Sequence, residues 1–216
     1  MDRQQIVREL IDGCAIAVVR ARDTSLVERT AQALLEGGVR ILEITMTVPG
    51  AIDLIRRCEK LPGVLVGAGT VLTADDVTRC ADAGARFIVS PALCPEVIEA
   101  TGALDLVSMP GAMTPTEVLN GWRAGADFVK VFPASRLGPA FLSDLLAPFP
   151  DVRLAPTGGL TDQNATDYLQ AGASVLGFGS WLVNQTAMEV GDFAQITESA
   201  RRLHQRITRF REAPHG

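Results

Sequence analysis

Residues 127–133 form the stretch Asp127-Phe128-Val129-Lys130-Val131-Phe132-Pro133, which is apolar except for the aspartate and one central lysine. Its β-branched and aromatic residues predict a short buried strand over 127–132. Lys60, the only other lysine, lies in a polar pattern typical of a helix end. Burial disfavours the charged form of an amine, and a neutral amine can attack a carbonyl carbon and form a Schiff base. A structural role, in which Lys130 reaches solvent from the strand end or pairs with a carboxylate, explains the same stretch.

Outward from this stretch, predicted strands and helices alternate about every 22 to 27 residues. The predicted strands cover residues 14–20, 40–46, 65–70, 86–90, 106–109, 127–132, 152–156 and 174–179. Eight strands, each apolar on both faces and followed by a helix, predict an α/β fold, a (β/α)8 TIM barrel. The alternative is a doubly wound open sheet, but its glycine fingerprint is missing from the sequence that follows the first strand, Arg20-Ala21-Arg22-Asp23.

We expect the 216 residues to form one domain, since α/β barrels commonly have this length. A short N-terminal helix over 3–11 precedes the first strand, and the last helix covers 192–211. Capping residues predict helix starts at Thr73 and Thr114, and a first-turn proline predicts one at Pro49. The helix after the 127–132 strand is predicted over 139–146. The tail after about residue 211 is predicted to be disordered.

The composition excludes several classes of partner. The net charge is −5 and there is no basic run, so we expect neither nucleic acid nor an anionic membrane as partner. No apolar stretch approaches the roughly 20 residues of a membrane span, and the N-terminus is not a signal peptide. The four cysteines lack zinc or redox spacing, and His204 and His215 lie near the C-terminus, away from the strand ends. The expectation is a reduced, cytoplasmic protein with no metal and no cofactor.

Glu43 lies inside an otherwise apolar strand, in Ile41-Leu42-Glu43-Ile44-Thr45. A buried carboxylate is costly unless it is paired or has a chemical role. If its face of the strand is the barrel interior, Glu43 can reach Lys130 across the bore. The pair could be a structural ion pair, but a buried amine and a buried carboxylate in one barrel favour chemistry.

The other strand ends matter because the chemistry of a barrel lies at the C-terminal ends of its strands. Arg20 ends the first strand and could hold a carboxylate or phosphate, although a solvated arginine explains it equally well. Thr70 ends the third strand with a hydroxyl that could also be a turn cap. Ser90-Pro91 and Met109-Pro110-Gly111 are interpreted as wall and turn residues.

Glycines follow the last two strands, in Thr157-Gly158-Gly159 and in Gly179-Ser180. Barrels often bind phosphate through backbone amides of these two loops, at a short helix N-terminus, and glycine lets the backbone approach closely. Ordinary turn glycines are the alternative for either site alone. A lysine nucleophile, a carboxylate, an anion clamp and a phosphate cradle together fit carbon–carbon bond chemistry through an iminium, on a phosphorylated keto substrate.

Four motifs carry a resemblance to a known family. The sequence is similar to the 2-keto-3-deoxy-6-phosphogluconate (KDPG) aldolase family, which includes 4-hydroxy-2-oxoglutarate (KHG) aldolase. The resemblance covers nearly the whole chain, in order. The motifs are Gly37-Gly38-Val39-Arg40-Ile41-Leu42-Glu43-Ile44-Thr45, Val66-Gly67-Ala68-Gly69-Thr70-Val71, Phe128-Val129-Lys130-Val131-Phe132-Pro133-Ala134 and Pro156-Thr157-Gly158-Gly159.

The resemblance implies a metal-independent class I aldolase on a (β/α)8 barrel, usually a homotrimer, acting on a 2-keto acid, with pyruvate as product. Lys130 matches the Schiff-base lysine and Glu43 the general acid/base. The remaining matches are substrate-binding positions: Arg20 and Thr70 near the pyruvyl carboxylate, Pro91 and Phe132 in the pocket wall, and Gly158, Gly159, Gly179 and Ser180 at the phosphate end.

Two positions bear on the substrate. Many family members carry arginine four residues after the glutamate, where this sequence has Thr47, and another branch has the Thr-Val-Pro form found here. Arg20 would then carry a larger share of the anion contact. Thr157 resembles the gluconate-type enzymes, whereas galactonate-type aldolases tend to carry valine there.

Three alternatives to a KDPG aldolase stay open. The first is an aldolase for the galactonate epimer. The second is a phosphate-binding barrel isomerase or synthase in which Lys130 acts only as a charge. The third is a non-catalytic phosphosugar-binding barrel in which Glu43 and Lys130 form a structural pair.

Overall fold

The computed structural model describes residues 1–21 and 23–213, and this part of the chain forms eight short strands and ten α-helices. The strands are β1 (Ala15–Val19), β2 (Ile41–Thr45), β3 (Leu65–Gly69), β4 (Phe87–Val89), β5 (Val107–Met109), β6 (Gly111–Ala112), β7 (Lys130–Val131) and β8 (Leu176–Phe178). The helices are α1 (Arg3–Gly13), α2 (Val27–Glu36), α3 (Ala51–Glu59), α4 (Ala74–Asp82), α5 (Pro95–Ala103), α6 (Pro115–Arg123), α7 (Ala134–Leu146), α8 (Ala165–Gln170), α9 (Gln185–Glu189) and α10 (Phe193–Glu212).

Six of the strands form one parallel sheet, in the order β5-β4-β3-β2-β1-β8. Each step from β1 to β5 joins consecutive strands of the chain through a helix, as expected of βα units. The predicted α/β fold with a parallel sheet is confirmed. β6 and β7 form a separate two-stranded parallel sheet, in which Gly111 is opposite Lys130.

The predicted strand over 152–156 appears only as isolated bridges. Leu154 forms parallel bridges with Val129 on one side and with Ala173 on the other. Backbone bonds follow the same line, since the amide of Val129 donates to the carbonyl of Arg153 and the amide of Ser174 donates to that of Leu154, at 2.8 and 2.9 Å. The eight strands of the described residues are therefore not the eight predicted, because the 152–156 segment is not a strand and β6 begins at Gly111, which was interpreted as a wall or turn residue.

A separate apolar cluster lies on the inner, concave face of the strands. It contains one or more buried side chains from each of the eight predicted strand segments, among them Ile16, Ile41, Leu65, Phe87, Val107 and Phe128. Side chains alternate between the faces of a strand, so residues two positions further along share this inner face. Glu43 follows Ile41 by two residues and Lys130 follows Phe128 by two. The alternation therefore places both functional candidates in the next layer toward the C-terminal ends.

The N-terminal helix closes the opposite end of this inner core. Ile6, Val7 and Leu10 of α1 are buried in the same cluster. Arg3 donates from Nε to both carboxylate oxygens of Asp127, at 2.9 and 3.0 Å. Asp127 also accepts from the backbone amide of Ser108 at 2.8 Å. The helix runs two residues past the predicted end at Ile11, since Gly13 is still helical.

Several helix starts match the sequence and others do not. Thr114 and Glu117 form the predicted capping box at α6, and Thr73 accepts from the amide of Asp76 at α4. Pro49 is not in a first turn, because the left-handed Gly50 (φ +68°) is the N-cap of α3. The predicted helix over 139–146 is present as the second part of α7, and an unpredicted helical turn from Ala134 precedes it. A break at Gly138 (φ +75°) lies before Pro139, whose ring a continuous helix would not accommodate.

The last part of the chain contains one unpredicted element. The short helix α9 is capped by the side chain of Asn184 and has no long apolar pattern that would indicate it. The predicted disordered tail falls mainly on residues 214–216, which are outside the described residues together with Arg22. His215 lies in that tail.

Candidate active site

Lys130 and Glu43 meet inside the molecule. Lys130 is the first residue of β7 and Glu43 the middle residue of β2, and Nζ lies 4.0 Å from Oε1. Only 4% and 3% of their side-chain areas are exposed. A separation of 4.0 Å is an ion-pair distance but longer than a hydrogen bond. A small reactant bonded to Nζ would therefore lie within reach of the carboxylate.

Glycines on β3 make room for the Glu43 side chain. Glu43 is opposite Gly67 in the sheet register and opposite Val18 on the other side. A Cβ atom at Gly69 would overlap the Glu43 carboxylate. The glycines of β3, Gly67 and Gly69, therefore leave the space on the inner face that the Glu43 carboxylate occupies.

Phe132 joins the lysine to an open cavity. Nζ of Lys130 lies 5.1 Å from the centroid of the Phe132 ring, which is within the range of a cation–π contact. The ring also lies beside the glycine loop, since a Cβ atom at Gly158 would lie 3.3 Å from it. Phe132 therefore adjoins both the lysine and the loop that lines the cavity.

The cavity has a volume of about 350 Å³. This is the size range of a site for a small ligand. Seven of the residues predicted from the sequence line it: Arg20, Phe132, Thr157, Gly158, Gly159, Gly179 and Ser180. The structure thus gathers residues from four separate chain segments around one opening.

The glycine loop presents backbone amides to this cavity. Gly158 and Gly159 both have positive φ, at 95° and 78°, which favours glycine. Within residues 1–21 and 23–213, the amides of Gly158, Gly159 and Ser180 donate to no protein acceptor. Amides left open at a cavity suit an anion. After Gly179 the chain forms a turn, in which the Gly179 carbonyl accepts from the amides of Leu182 and Val183.

Arg20 brings a guanidinium to the same opening. It directly follows β1, and its side chain is exposed and lines the cavity. Among the described residues it has no carboxylate partner within ion-pair distance. A free guanidinium beside open amides gives the cavity a positive potential.

Thr70 and Pro91 lie away from this cavity. Thr70 directly follows β3 and Pro91 comes two residues after β4; both are half-buried, and neither is among the residues that line the opening. Thr70 has a φ of +58°, which is unusual for a threonine and turns the chain sharply beside Gly69 and the Glu43 carboxylate. The carbonyl of Pro91 packs against Gly111.

Some residues of the site were not predicted from the sequence. Thr161 and Trp181 line the cavity, and the Trp181 ring lies 6.0 Å from that of Phe178. Both follow the predicted glycines by two residues or fewer, so their place in the same loops was the available signal. The hydroxyls of Thr45 and Thr47 are 3.0 Å apart, and Thr45 also bonds the Val19 carbonyl at 3.3 Å.

Three further observations concern the rest of the described chain. Within residues 1–21 and 23–213, no three His, Cys, Asp or Glu side chains are grouped so that they could hold a metal ion. None of the helices in that part of the chain is long and apolar enough to cross a membrane.

A larger groove of about 580 Å³ between α8 and α10 contains none of the predicted site residues.

Comparisons with known proteins give a consistent result. The family model for KDPG and KHG aldolase matches residues 6–199. The KHG/KDPG aldolase of Escherichia coli (strain K12) is 37% identical over 194 residues, which cover 89% of this chain and 91% of that protein. A probable 2-dehydro-3-deoxy-6-phosphogalactonate aldolase of Rhizobium meliloti is 39% identical over 183 residues, which cover 83% of this chain and 86% of that protein.

One solved structure carries direct chemical information about its own protein. It is the KDPG aldolase of Legionella pneumophila with pyruvate captured as a covalent carbinolamine intermediate. It is 31% identical in sequence, with a TM-score of 0.82, and the match covers 88% of this chain and 93% of that one.

Proposed function

The chain belongs to the KDPG and KHG aldolase family, and on this premise we propose that it is a class I aldolase that cleaves KDPG into pyruvate and glyceraldehyde 3-phosphate. Cleavage of KHG into pyruvate and glyoxylate is included in the proposal, since relatives are named for both substrates. The observation that carries it is the buried Lys130–Glu43 pair, 4.0 Å apart, beside a cavity with open amides.

The proposed reaction begins with the Lys130 amine adding to the C2 ketone of the substrate. Glu43 protonates the new alkoxide, and the resulting carbinolamine loses water to give an iminium. The carbinolamine oxygen is on the carbon bonded to Nζ, so it can come within hydrogen-bond reach of Oε1 of Glu43. No metal is required, because the iminium itself withdraws electrons.

Cleavage then uses the iminium as an electron sink. Loss of the C4 hydroxyl proton breaks the C3–C4 bond, the bonding electrons move into the iminium, and the aldehyde leaves. The remaining enamine takes a proton at C3. Addition of water releases pyruvate and returns Lys130 to its free amine. Glu43 acts alternately as acid and base, as the two halves of the sequence require.

The phosphate end is assigned to the cavity. The open amides of Gly158, Gly159 and Ser180 and the guanidinium of Arg20 supply donors and positive charge for a phosphate group. Phe132 lies beside both Gly158 and Lys130. Thr70 and Pro91 are proposed to contact the pyruvyl end instead, beside Glu43.

The proposal also covers the closure of the barrel, the oligomeric state and the cellular compartment of the protein. The bridges of Leu154 to both neighbouring segments support closure of the sheet into a (β/α)8 barrel. The family resemblance supports a homotrimer, which sedimentation would detect as three times the 23.0 kDa chain. The four unpaired cysteines suit a reducing compartment such as the cytoplasm.

The test is reductive trapping. The protein is incubated with pyruvate and borohydride, and the adduct is mapped by mass spectrometry. The expected result is one reduced pyruvyl adduct, on the peptide that contains Lys130. Lys60→Ala, which removes the only other lysine from an exposed position, is the matched control and should be trapped normally. Absence of an adduct on folded wild-type protein, or normal retro-aldol turnover by Lys130→Ala, would refute the covalent mechanism.

A second substrate has a specific observation in its favour. The relative from Rhizobium meliloti, 39% identical, is named a probable galactonate-type aldolase. Thr157 favours the gluconate type by resemblance. Comparing kcat/KM for the two C4 epimers decides between them, and we expect the gluconate form to be cleaved faster.

A further inference from the structure

The loop that carries the open amides is held from behind by the residue at the start of α8. Asn164 is the N-cap of that helix, and its side chain has two partners in the loop. Its Oδ1 accepts from the amide of Thr161 at 2.8 Å, and its Nδ2 donates to the carbonyl of Gly159 at 3.1 Å. One side chain thus spans the segment from Gly159 to Thr161.

The part of the cavity lining formed by Phe132 is held by the next turn of the same helix. Tyr168 is only 3% exposed, and its hydroxyl donates to the carbonyl of Ala134 at 3.0 Å. Ala134 comes two residues after Phe132. Its own amide donates to the carbonyl of Thr157 at 2.8 Å, and the amide of Ser135 donates to Gly158 at 3.0 Å. These bonds join the Phe132 wall to the glycine loop.

Packing alone does not account for a tyrosine at this position. A phenylalanine would fill the same buried space, whereas the buried hydroxyl has a single, well-aligned carbonyl acceptor. Burial first, and the Asp167 carboxylate second, raise the pKa of the Tyr168 phenol. The phenol therefore remains protonated and able to donate.

Two consecutive glycines need such support if their amides are to converge on one group. Glycine has the widest backbone freedom of any residue, so an unsupported Gly158-Gly159 loop would populate many conformations. Binding would then carry the entropic cost of ordering it. Bonds at 159, 161 and 134 fix the loop before any ligand arrives.

We propose that Asn164 and Tyr168 are positioning residues, which hold the two walls of the phosphate end at the spacing that a phosphate ester requires. They act through the loop and through Ala134, and neither lines the cavity. This inference rests on the proposed function for the identity of the ligand. It predicts that α8 determines affinity for the phosphate end and leaves the Lys130–Glu43 chemistry unaffected.

The experiment measures two quantities on the same variants. Affinity for 3-phosphoglycerate, a phosphate ester that forms no Schiff base, is measured by calorimetry. The yield of borohydride-trapped pyruvate adduct reports the lysine chemistry. Tyr168→Phe removes only the hydroxyl, and Asn164→Ala removes both loop contacts.

Two control variants match these changes. Thr101→Val removes another buried hydroxyl, whose bond to the Val97 carbonyl at 2.6 Å lies within α5, away from the cavity. Gln163→Ala shortens the exposed residue next to Asn164, whose side chain makes no bond to the loop. Both controls should bind 3-phosphoglycerate as the wild type does.

We expect each test variant to bind 3-phosphoglycerate roughly fivefold more weakly, the loss typical of one net hydrogen bond, with adduct yield unchanged. Unchanged affinity in both variants would overturn the inference. So would an equal loss of affinity and adduct yield, which indicates general destabilisation. If wild-type protein binds the ester but forms no adduct, and the variants still bind more weakly, the aldolase proposal fails while the positioning role stands.

Discussion

Glu43 is the residue whose role is easiest to separate from that of Lys130. Replacing it with glutamine keeps the shape of the side chain and removes its capacity to take and give a proton. We expect Glu43→Gln to lower kcat for retro-aldol cleavage by roughly 10²- to 10⁴-fold, the usual contribution of a general acid/base. Slow trapping of pyruvate should persist, because Lys130 remains. A rate equal to that of the wild type would remove Glu43 from the mechanism.

Gly69 should be as sensitive as a catalytic residue although it has no functional group. A Cβ there overlaps the Glu43 carboxylate, so Gly69→Ala must displace that side chain. A displacement of about 1 Å can cost roughly 10²-fold in rate. Steady-state kinetics measures this loss. Gly125→Ala is an informative comparison, since a Cβ at Gly125 meets nothing within 4 Å, although its positive φ costs some stability. Normal activity in Gly69→Ala would show that the Glu43 carboxylate can shift away from the added methyl group without loss of function.

At the residue scale, the sequence predicts the pair of Glu43 and Lys130 but not the residues that surround and support the cavity. Strand alternation and the cost of a buried charge are local rules, and they identify Glu43 and Lys130 from two short stretches. Tyr168 bonds the carbonyl of Ala134, which is 34 residues away. Trp181 lines a cavity whose other walls include Arg20 and Phe132, from distant parts of the chain. No local rule indicates which neighbours those will be.

Among the elements, α1 contacts the segment of the Lys130 strand through one buried carboxylate, that of Asp127. Arg3 holds the buried Asp127 carboxylate, which also orders the start of the Lys130 strand through Ser108. Arg3→Ala leaves this carboxylate without its charged partner and should lower the free energy of unfolding by about 1–3 kcal/mol. Denaturant titration measures the change. Arg8→Ala, on the exposed side of α1, is the control and should have little effect. Equal stability of the two variants would show that the contact contributes nothing net.

Element boundaries follow the same division between local and distant causes. The capping box at Thr114 and the cap at Thr73 lie within one turn of their helices, and both were predicted. The early start of α7 at Ala134 depends on Tyr168 and on the Thr157 loop, which bond to that turn from elsewhere in the chain. Pro139 was the local signal, and it marks the beginning of the second part of α7, directly after the non-helical Gly138.

Over the whole molecule, three buried thiols link stability to alkaline pH. Burial raises the pKa of Cys14 and Cys58 from 9.0 to about 11, and that of Cys80 to about 12. The unfolded chain therefore releases these protons at lower pH than the folded chain. The stabilisation is fully present below pH 9.0 and is lost as pH rises from there through the folded values.

The expected loss is about 1 kcal/mol per thiol between pH 9 and roughly pH 10. Urea unfolding measured at several pH values tests this. Cys58→Ala with Cys80→Ala should give a shallower decline than the wild type, because two of the three linked groups are gone. The same slope in both proteins would mean that other groups cause the decline.

The first and last strands of the main sheet are neighbours, since β1 pairs with β8 and the amide of Leu176 donates to the carbonyl of Cys14 at 2.7 Å. Arg211 also bonds the carbonyl of Asp12 at 2.7 Å. During translation, the side of β1 that faces β8 has no partner until nearly the whole chain has left the ribosome. Its unpaired backbone groups can join strands of other chains in that interval. The nascent protein is thus most dependent on chaperones just before its last strand is made.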